Sequence, residues 1–184
     1  TIGDATMSLY QDPGDGVRAS VEIQKRLMTH NTGKGEKDRL SVRVGIHYGD
    51  GIVDDKDVFG DVVNTASRIE SKADGGEIMI SEELYREVKS TDEFIFRYHD
   101  AVQAKGKKEP VQIFELLGAN LQVGPPSWVG IFEEGFSAYA SGAWKGASAA
   151  FKQVLAERPE DGPSRLYLER LKALSAAPPP PNWD

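Results

Sequence analysis

Over roughly the first 118 residues, short stretches of alternating polar and apolar positions are interleaved with longer stretches of helical period, the pattern of a sheet covered by helices. Thr6-Met7-Ser8-Leu9-Tyr10 alternates strictly and predicts a strand with Met7 and Leu9 on one face, entered through turn chemistry at Gly3-Asp4. Val17, Val21, Leu27 and Met28 fall on one side of a helical wheel and predict a helix over 16–30, with Asp12-Pro13-Gly14-Asp15 as the loop before it. After a polar connector at 32–37, Val42, Val44 and Ile46 predict a strand with those three side chains inward. Glu77-Ile78-Met79-Ile80 reads as a short buried strand, and Ser81, followed by Glu82 and Glu83, as the N-cap of a helix through Val88. Residues 94–98 and 111–116 predict two more strands, with the loop Lys105-Gly106-Lys107-Lys108 between them.

Beyond Gly124-Pro125-Pro126 the pattern becomes purely helical. Phe132, Phe136 and Tyr139 recur at i, i+4, i+7; Gly142 breaks the run; Trp144, Ala147, Phe151 and Leu155 then recur at i, i+3, i+7, i+11. That is a helical hairpin. A third helix over about 163–174 presents Leu168, Leu171 and Leu174, and Pro178 to Pro181 end it in an extended tail carrying Trp183. The organisation read from the sequence is therefore 1–119 as an α/β domain, 120–127 as linker, 128–176 as helices and 177–184 as a Pro-rich tail.

Composition narrows the chemistry. With 22 Lys+Arg against 29 Asp+Glu, the 184 residues carry a formal charge of −7, which argues against nucleic acid as a partner. The absence of cysteine excludes disulfide scaffolds, thiolate nucleophiles and Cys-based zinc sites together. No apolar run reaches the roughly 20 residues that span a bilayer. The expected setting is cytoplasmic, the parent protein being either free or membrane-tethered. The chain opens on Thr1 inside an apparent strand-turn element and is read as part of something longer. His30, His47 and His99 lack metal-ligand spacing and are read as structural.

The stretch with chemical content is Asp57-Val58-Phe59-Gly60-Asp61-Val62-Val63-Asn64-Thr65-Ala66-Ser67-Arg68-Ile69-Glu70. As a helix over 61–73 it places Val62, Ala66, Ile69 and Ala73 in one core-facing stripe and projects Asn64 and Arg68, four apart, from another side. A carboxamide and a guanidinium on adjacent turns suit an oxyanion or phosphate. The same pair on a solvated helix face is the bland alternative.

This string, taken in order with Thr1-Ile2-Gly3-Asp4-Ala5, with Val42-Arg43-Val44-Gly45-Ile46-His47-Tyr48-Gly49, and with Lys105-Gly106-Lys107 before Pro110-Val111-Gln112-Ile113-Phe114-Glu115-Leu116, resembles the class III nucleotidyl cyclase catalytic domain over about residues 1 to 117. The resemblance implies an α+β sandwich of ferredoxin-like type, incomplete at its N-terminus, with the all-α hairpin as an appendage. It implies conversion of a nucleoside triphosphate to its 3′,5′-cyclic monophosphate and pyrophosphate, assisted by two Mg²⁺ or Mn²⁺ ions per site. By similarity Asp4 is a metal ligand, Arg68 stabilises the α-phosphate in the transition state, Asn64 orients the ribose, Lys105 (with Lys107 as fallback) contacts the outer phosphates, and Asp57 selects adenine. ATP is thus the expected substrate, and a guanylate cyclase is the alternative. The family's first metal aspartate and its adenine-selecting Lys would lie before Thr1, so this polypeptide alone is expected to be inactive; a catalytically silent nucleotide-binding or dimerising module is the other competitor. Members are head-to-tail dimers with shared sites, which implies a C2 homodimer here.

The tail is similar to a tetratricopeptide repeat: Gly135, Gly142, Trp144, Ala147, Phe151, Leu155 and Pro159 fit its pattern in order, with Tyr139 one place later than the usual aromatic. One repeat cannot bury both its faces, so packing by the third helix, against the cyclase-like domain or against a dimer mate is the expectation, and a protein partner for the helical tail the alternative.

Overall fold

A computed structural model describes residues 5–54, 57–102, 110–120 and 124–176. The chain divides into two compact units, 1–122 and 123–184.

In the first unit, four strands form one sheet in the order β1-β4-β6-β5. β1 (Val44–Ile46) runs parallel to β4 (Ile78–Ser81), which is antiparallel to β6 (Val111–Ala119), itself antiparallel to β5 (Phe94–Val102). A separate hairpin pairs β2 (Ile52–Asp54) with β3 (Asp57–Phe59) and leads into helix α2 (Asp61–Glu70). Parallel strands need a crossover, and the hairpin plus α2 supply it between β1 and β4.

Strand alternation divides the core. Ile78 and Ile80 of β4 join Phe94, Leu116, Val17 and Val21 of α1 (Pro13–Asn31), and Leu84 and Val88 of α3 (Glu82–Val88), on one side of the sheet. Met79 turns to the other side, where it packs with Ile69 of α2, Ala73, Val102, Val111 and Ile113. Both faces of the sheet are therefore lined with apolar side chains, the layered α/β arrangement that the sequence predicts. Ser81 caps α3 as expected, its Oγ accepting from the Leu84 N–H at 3.2 Å.

Several local expectations are corrected. Residues 6–10 form no strand: Met7 and Leu9 are exposed, and beyond a bridge at Ala5 no ladder satisfies that backbone among the described residues. Alternation alone does not make a strand without a neighbour to pair with. α1 starts at Pro13, not Gly16, because Asp12 serves as N-cap, its side chain accepting from the Asp15 N–H, and Pro fits the first turn. Its buried face is Gly14, Gly16, Val17, Ser20 and Val21, whereas Met28 is 75% exposed. Among the described residues, full burial of that helix is confined to its first half. Val42 likewise lies exposed, just before β1.

The second unit is α4 (Ser127–Ala140), α5 (Trp144–Glu157) and α6 (Gly162–Ala176), with α5 packed against both others. Gly142 makes the expected break with φ of 77°. At Gly135 a Cβ would stand 2.9 Å from Ala150 Cβ, so glycine is what lets α4 approach α5. Phe132, Ala147, Phe151 and Val154 fill the core, Val154 taking the place expected of Leu155. From α6 the central residue is Tyr167, flanked by Phe132, Phe136, Tyr139 and Phe151 with ring centroids 5.0 to 6.2 Å away; the leucine stripe expected there contributes Leu171, while Leu168 is only half-buried.

Candidate active site

Helix α2 is built to present rather than to bury. Gly60, at φ 126° and ψ 176°, turns the chain from β3 into the helix, a conformation that a side chain would strain, and supplies no side-chain cap. Of the ten helical residues only Thr65 and Ile69 are fully buried. Thr65 Oγ1 donates to the Asp61 carbonyl at 2.7 Å and so hides its polar group within the helix. The stripe predicted through Val62 and Ala66 is thus rotated by part of a turn: those two are half-buried, and Ala73 lies past the helix end yet joins the core.

Asn64 is exposed and Arg68 half-buried, and their four-residue spacing puts them on a common side of α2. Asp57 stands on β3, immediately before the Gly60 turn. Asp4 and Lys105, the expected metal ligand and phosphate contact, lie outside the described residues, as does Lys107. Among the described residues no cluster of three or more His, Asp or Glu side chains could hold a metal ion. The expected Mg²⁺ or Mn²⁺ ions thus rest on the assignment of Asp4.

The far end of α2 is held by contacts that sequence reasoning missed. A Cβ at Gly45, in the middle of β1, would fall 2.2 Å from the Glu70 backbone nitrogen and 2.5 Å from its Cα. The helix end therefore rests in a notch that only glycine provides. Arg43, just before β1, forms an ion pair from Nε to the Glu70 carboxylate. Ser71 Oγ closes the helix by donating to the Arg68 carbonyl at 2.7 Å. The available signal was the glycine inside a Val-rich strand, which marks close backbone approach. His47, directly after β1, places Nδ1 2.9 Å from Ser81 Oγ and 3.8 Å from a Glu83 carboxylate oxygen. It thereby ties β1 to the start of α3.

What this arrangement offers is an amide and a permanent cation side by side on a helix whose position is fixed at its C-terminal end. An amide and a guanidinium at this spacing are donors of the type that suits a phosphate.

Residues 1–118 match the family model for the adenylate and guanylate cyclase catalytic domain. An adenylate cyclase from Anabaena cylindrica is 36% identical over 134 residues, which cover 62% of this chain and 27% of that protein. A putative adenylate cyclase from Rhizobium meliloti is 30% identical over 112 residues, 61% of this chain and 19% of that protein. A receptor-type guanylate cyclase from Caenorhabditis elegans is 33% identical over 135 residues, covering 64% of this chain and 12% of that one. The chain thus spans a minor part of each of these relatives. Among solved structures, the adenylate/guanylate cyclase/hydrolase from Silicibacter pomeroyi superposes with a TM-score of 0.55 at 25% identity, over 58% of this chain and 63% of that one. The catalytic core of a rhodopsin-guanylyl cyclase with converted specificity, in complex with ATPαS, gives 0.51 at 27% identity over 62% and 63% of the two chains.

Proposed function

Because the chain belongs to the family of adenylate and guanylate cyclase catalytic domains, a nucleotidyl cyclase (lyase) domain, we propose that the protein carrying it makes 3′,5′-cyclic AMP from ATP. The observation that carries the site assignment is the common side of α2 shared by Asn64 and Arg68, directly behind the hairpin that bears Asp57. In the reaction the ribose 3′-oxygen attacks the α-phosphorus, its proton passes to solvent water, and the bond to the departing pyrophosphate oxygen breaks. Negative charge grows on the α-phosphate oxygens as this happens. Arg68 meets that charge with a planar, permanently cationic donor, and Asn64 holds the ribose so that the attacking oxygen is in line. Lys105 neutralises the outer phosphates that depart. Asp4 would be one carboxylate ligand of a divalent ion, which when bound would acidify the 3′-hydroxyl and offset triphosphate charge.

Substrate choice rests on Asp57, which accepts a hydrogen bond from the exocyclic amine of adenine. Similarity to guanylate cyclases as well as adenylate cyclases makes GTP the competing substrate. The protein works as a homodimer in which Asp4 of one subunit faces Asn64, Arg68, Asp57 and Lys105 of the other. The three helices form a tetratricopeptide-like unit, supported by Gly135 at the close crossing of α4 and α5. Cohesion within the unit is their first role and engagement of a protein partner the alternative.

The test is turnover of ATP and GTP, compared side by side, by the full-length gene product and its Arg68→Ala variant. Removing a transition-state donor lowers kcat by about 10²-fold or more. Unchanged turnover in the variant would refute the role given to Arg68, and faster turnover of GTP than of ATP would refute the adenine assignment.

A further inference from the structure

The contacts at the C-terminal end of α2 do more than hold a helix on a sheet. We infer that Gly45, Arg43 and Glu70 form a seat that sets both the height and the rotation of α2, which makes Gly45 and Arg43 positioning residues for Arg68; this rests on the reading of Arg68 given above.

Height follows from the notch. The Glu70 backbone lies so close to Gly45 that a single added methyl would overlap main-chain atoms, which cannot swing aside as a side chain can. Rotation follows from helical geometry. Ile69, fully buried, points into the core. At about 100° per residue, Arg68 and Asn64 lie on one flank of Ile69 and Glu70 on the other. The Arg43–Glu70 ion pair therefore grips the flank opposite the functional pair and resists the roll that would displace it. With side-chain tips about 6 Å from the axis, a roll of about 10° moves them by about 1 Å. An error of that size is enough to cost about 10²-fold in rate when the group must meet developing charge.

Among the described residues, the buried grip of α2 comes from Thr65 and Ile69, with Ala73 just past its end joining the core. Only two of its ten residues are fully buried, and its N-terminus has no side-chain cap. The ion pair itself is largely exposed, Arg43 at 56% and Glu70 at 34% of their side-chain surface, so it adds little to global stability. A positional effect and a stability effect are thus separable in experiment.

Four variants of the full-length gene product decide the matter: Arg43→Glu, the swap Arg43→Glu with Glu70→Arg, Arg43→Lys, and Gly45→Ala. Arg43→Glu is expected to lower kcat at least about tenfold with KM for the nucleotide within about twofold and an almost unchanged Tm. The swap restores most of kcat, and Arg43→Lys retains more than Arg43→Glu. Gly45→Ala lowers kcat by about 10²-fold; should it fail to fold, the charge-swap pair still decides. In parallel, amide exchange over 67–71 accelerates in Arg43→Glu, returns in the swap, and leaves β4 and β6 unchanged. Wild-type kcat in Arg43→Glu, absence of recovery in the swap, or unaltered exchange at the helix end would each overturn the seat while leaving the cyclase reading standing. A wild-type gene product without cyclase turnover would instead remove the reading on which the inference stands.

Discussion

Arg97 and Glu115 face each other across the β5–β6 ladder with almost no solvent access, 2% and 6% exposed. Arg97 Nε donates to the Glu115 carboxylate at 2.7 Å, and Nη2 stands 2.5 Å from the same oxygen. Two desolvated charges are tolerated because each is the other's counterion, so the cost appears when one is removed alone. Arg97→Ala is expected to destabilise the sheet unit by about 3–5 kcal/mol, and replacing both partners by apolar residues of similar size, Arg97→Met with Glu115→Leu, should cost less than the single change. Urea titration of the single and double variants checks this; a double variant as unstable as the single one would mean that the pair is bound into something larger than itself. The residue also shows where sequence reading stops. Alternation in Phe94-Ile95-Phe96-Arg97-Tyr98 tells which side of the strand Arg97 takes, but not that this side is covered. Burial depends on what the rest of the chain lays over the strand. Gly45 is the same kind of case: its presence in a strand signals close approach, while the partner, the backbone of Glu70, is a fact of tertiary structure.

At the level of elements, α6 is started by a device worth testing. Asp161, buried, accepts from the Ser164 N–H at 2.9 Å and so caps the helix; its other oxygen lies 3.8 Å from Arg158 Nε, and the Arg158 guanidinium stacks 4.4 Å above the ring centroid of Trp128 on α4. One short turn thus links the start of the third helix to the first. Asp161→Ala should lower the stability of the helical unit by about 0.5–2 kcal/mol, and Asp161→Asn, which keeps a capping oxygen, by less. Ser164→Ala should act in the opposite sense: Ser164 is fully buried and its Oγ has no hydrogen-bond partner among the described residues, so removing it relieves an unmet desolvation of about 1–3 kcal/mol. Denaturant midpoints rank the three variants, and a destabilised Ser164→Ala would contradict the assignment. Elements were legible where local chemistry is strong, as at Ser81 before α3 and Gly142 between α4 and α5. They were misread where pairing or packing at a distance decides, as at 6–10, which finds no ladder among the described residues, and at the second half of α1, which those residues leave mostly exposed. In the candidate site the spacing of Asn64 and Arg68 was legible because it is a property of the helix itself. The seat beneath them was not, because Arg43 and Glu70 meet only when the crossover folds back onto β1.

At the scale of the whole molecule the proposed site is divided between two copies of the chain, and this division has an arithmetical consequence. In the full-length gene product, Asp4→Ala and Arg68→Ala should each damage every site of the proposed homodimer. In a heterodimer of the two, both defects fall into one site, and the other receives Asp4 from one subunit and Arg68 from its partner, both intact. Random exchange of equal amounts makes about half of the dimers mixed, each with one sound site of two, so about one quarter of wild-type turnover should return on mixing two inactive proteins. Mixing after unfolding and joint refolding, followed by assay of cyclic nucleotide against the unmixed controls, checks the value. Recovery near that fraction requires a carboxylate and a guanidinium from different chains around one triphosphate. If mixing restored nothing although hetero-assembly was verified by differently tagged subunits, each chain would have to supply both groups to its own site, and the shared-site homodimer would have to be abandoned even with the cyclase activity intact.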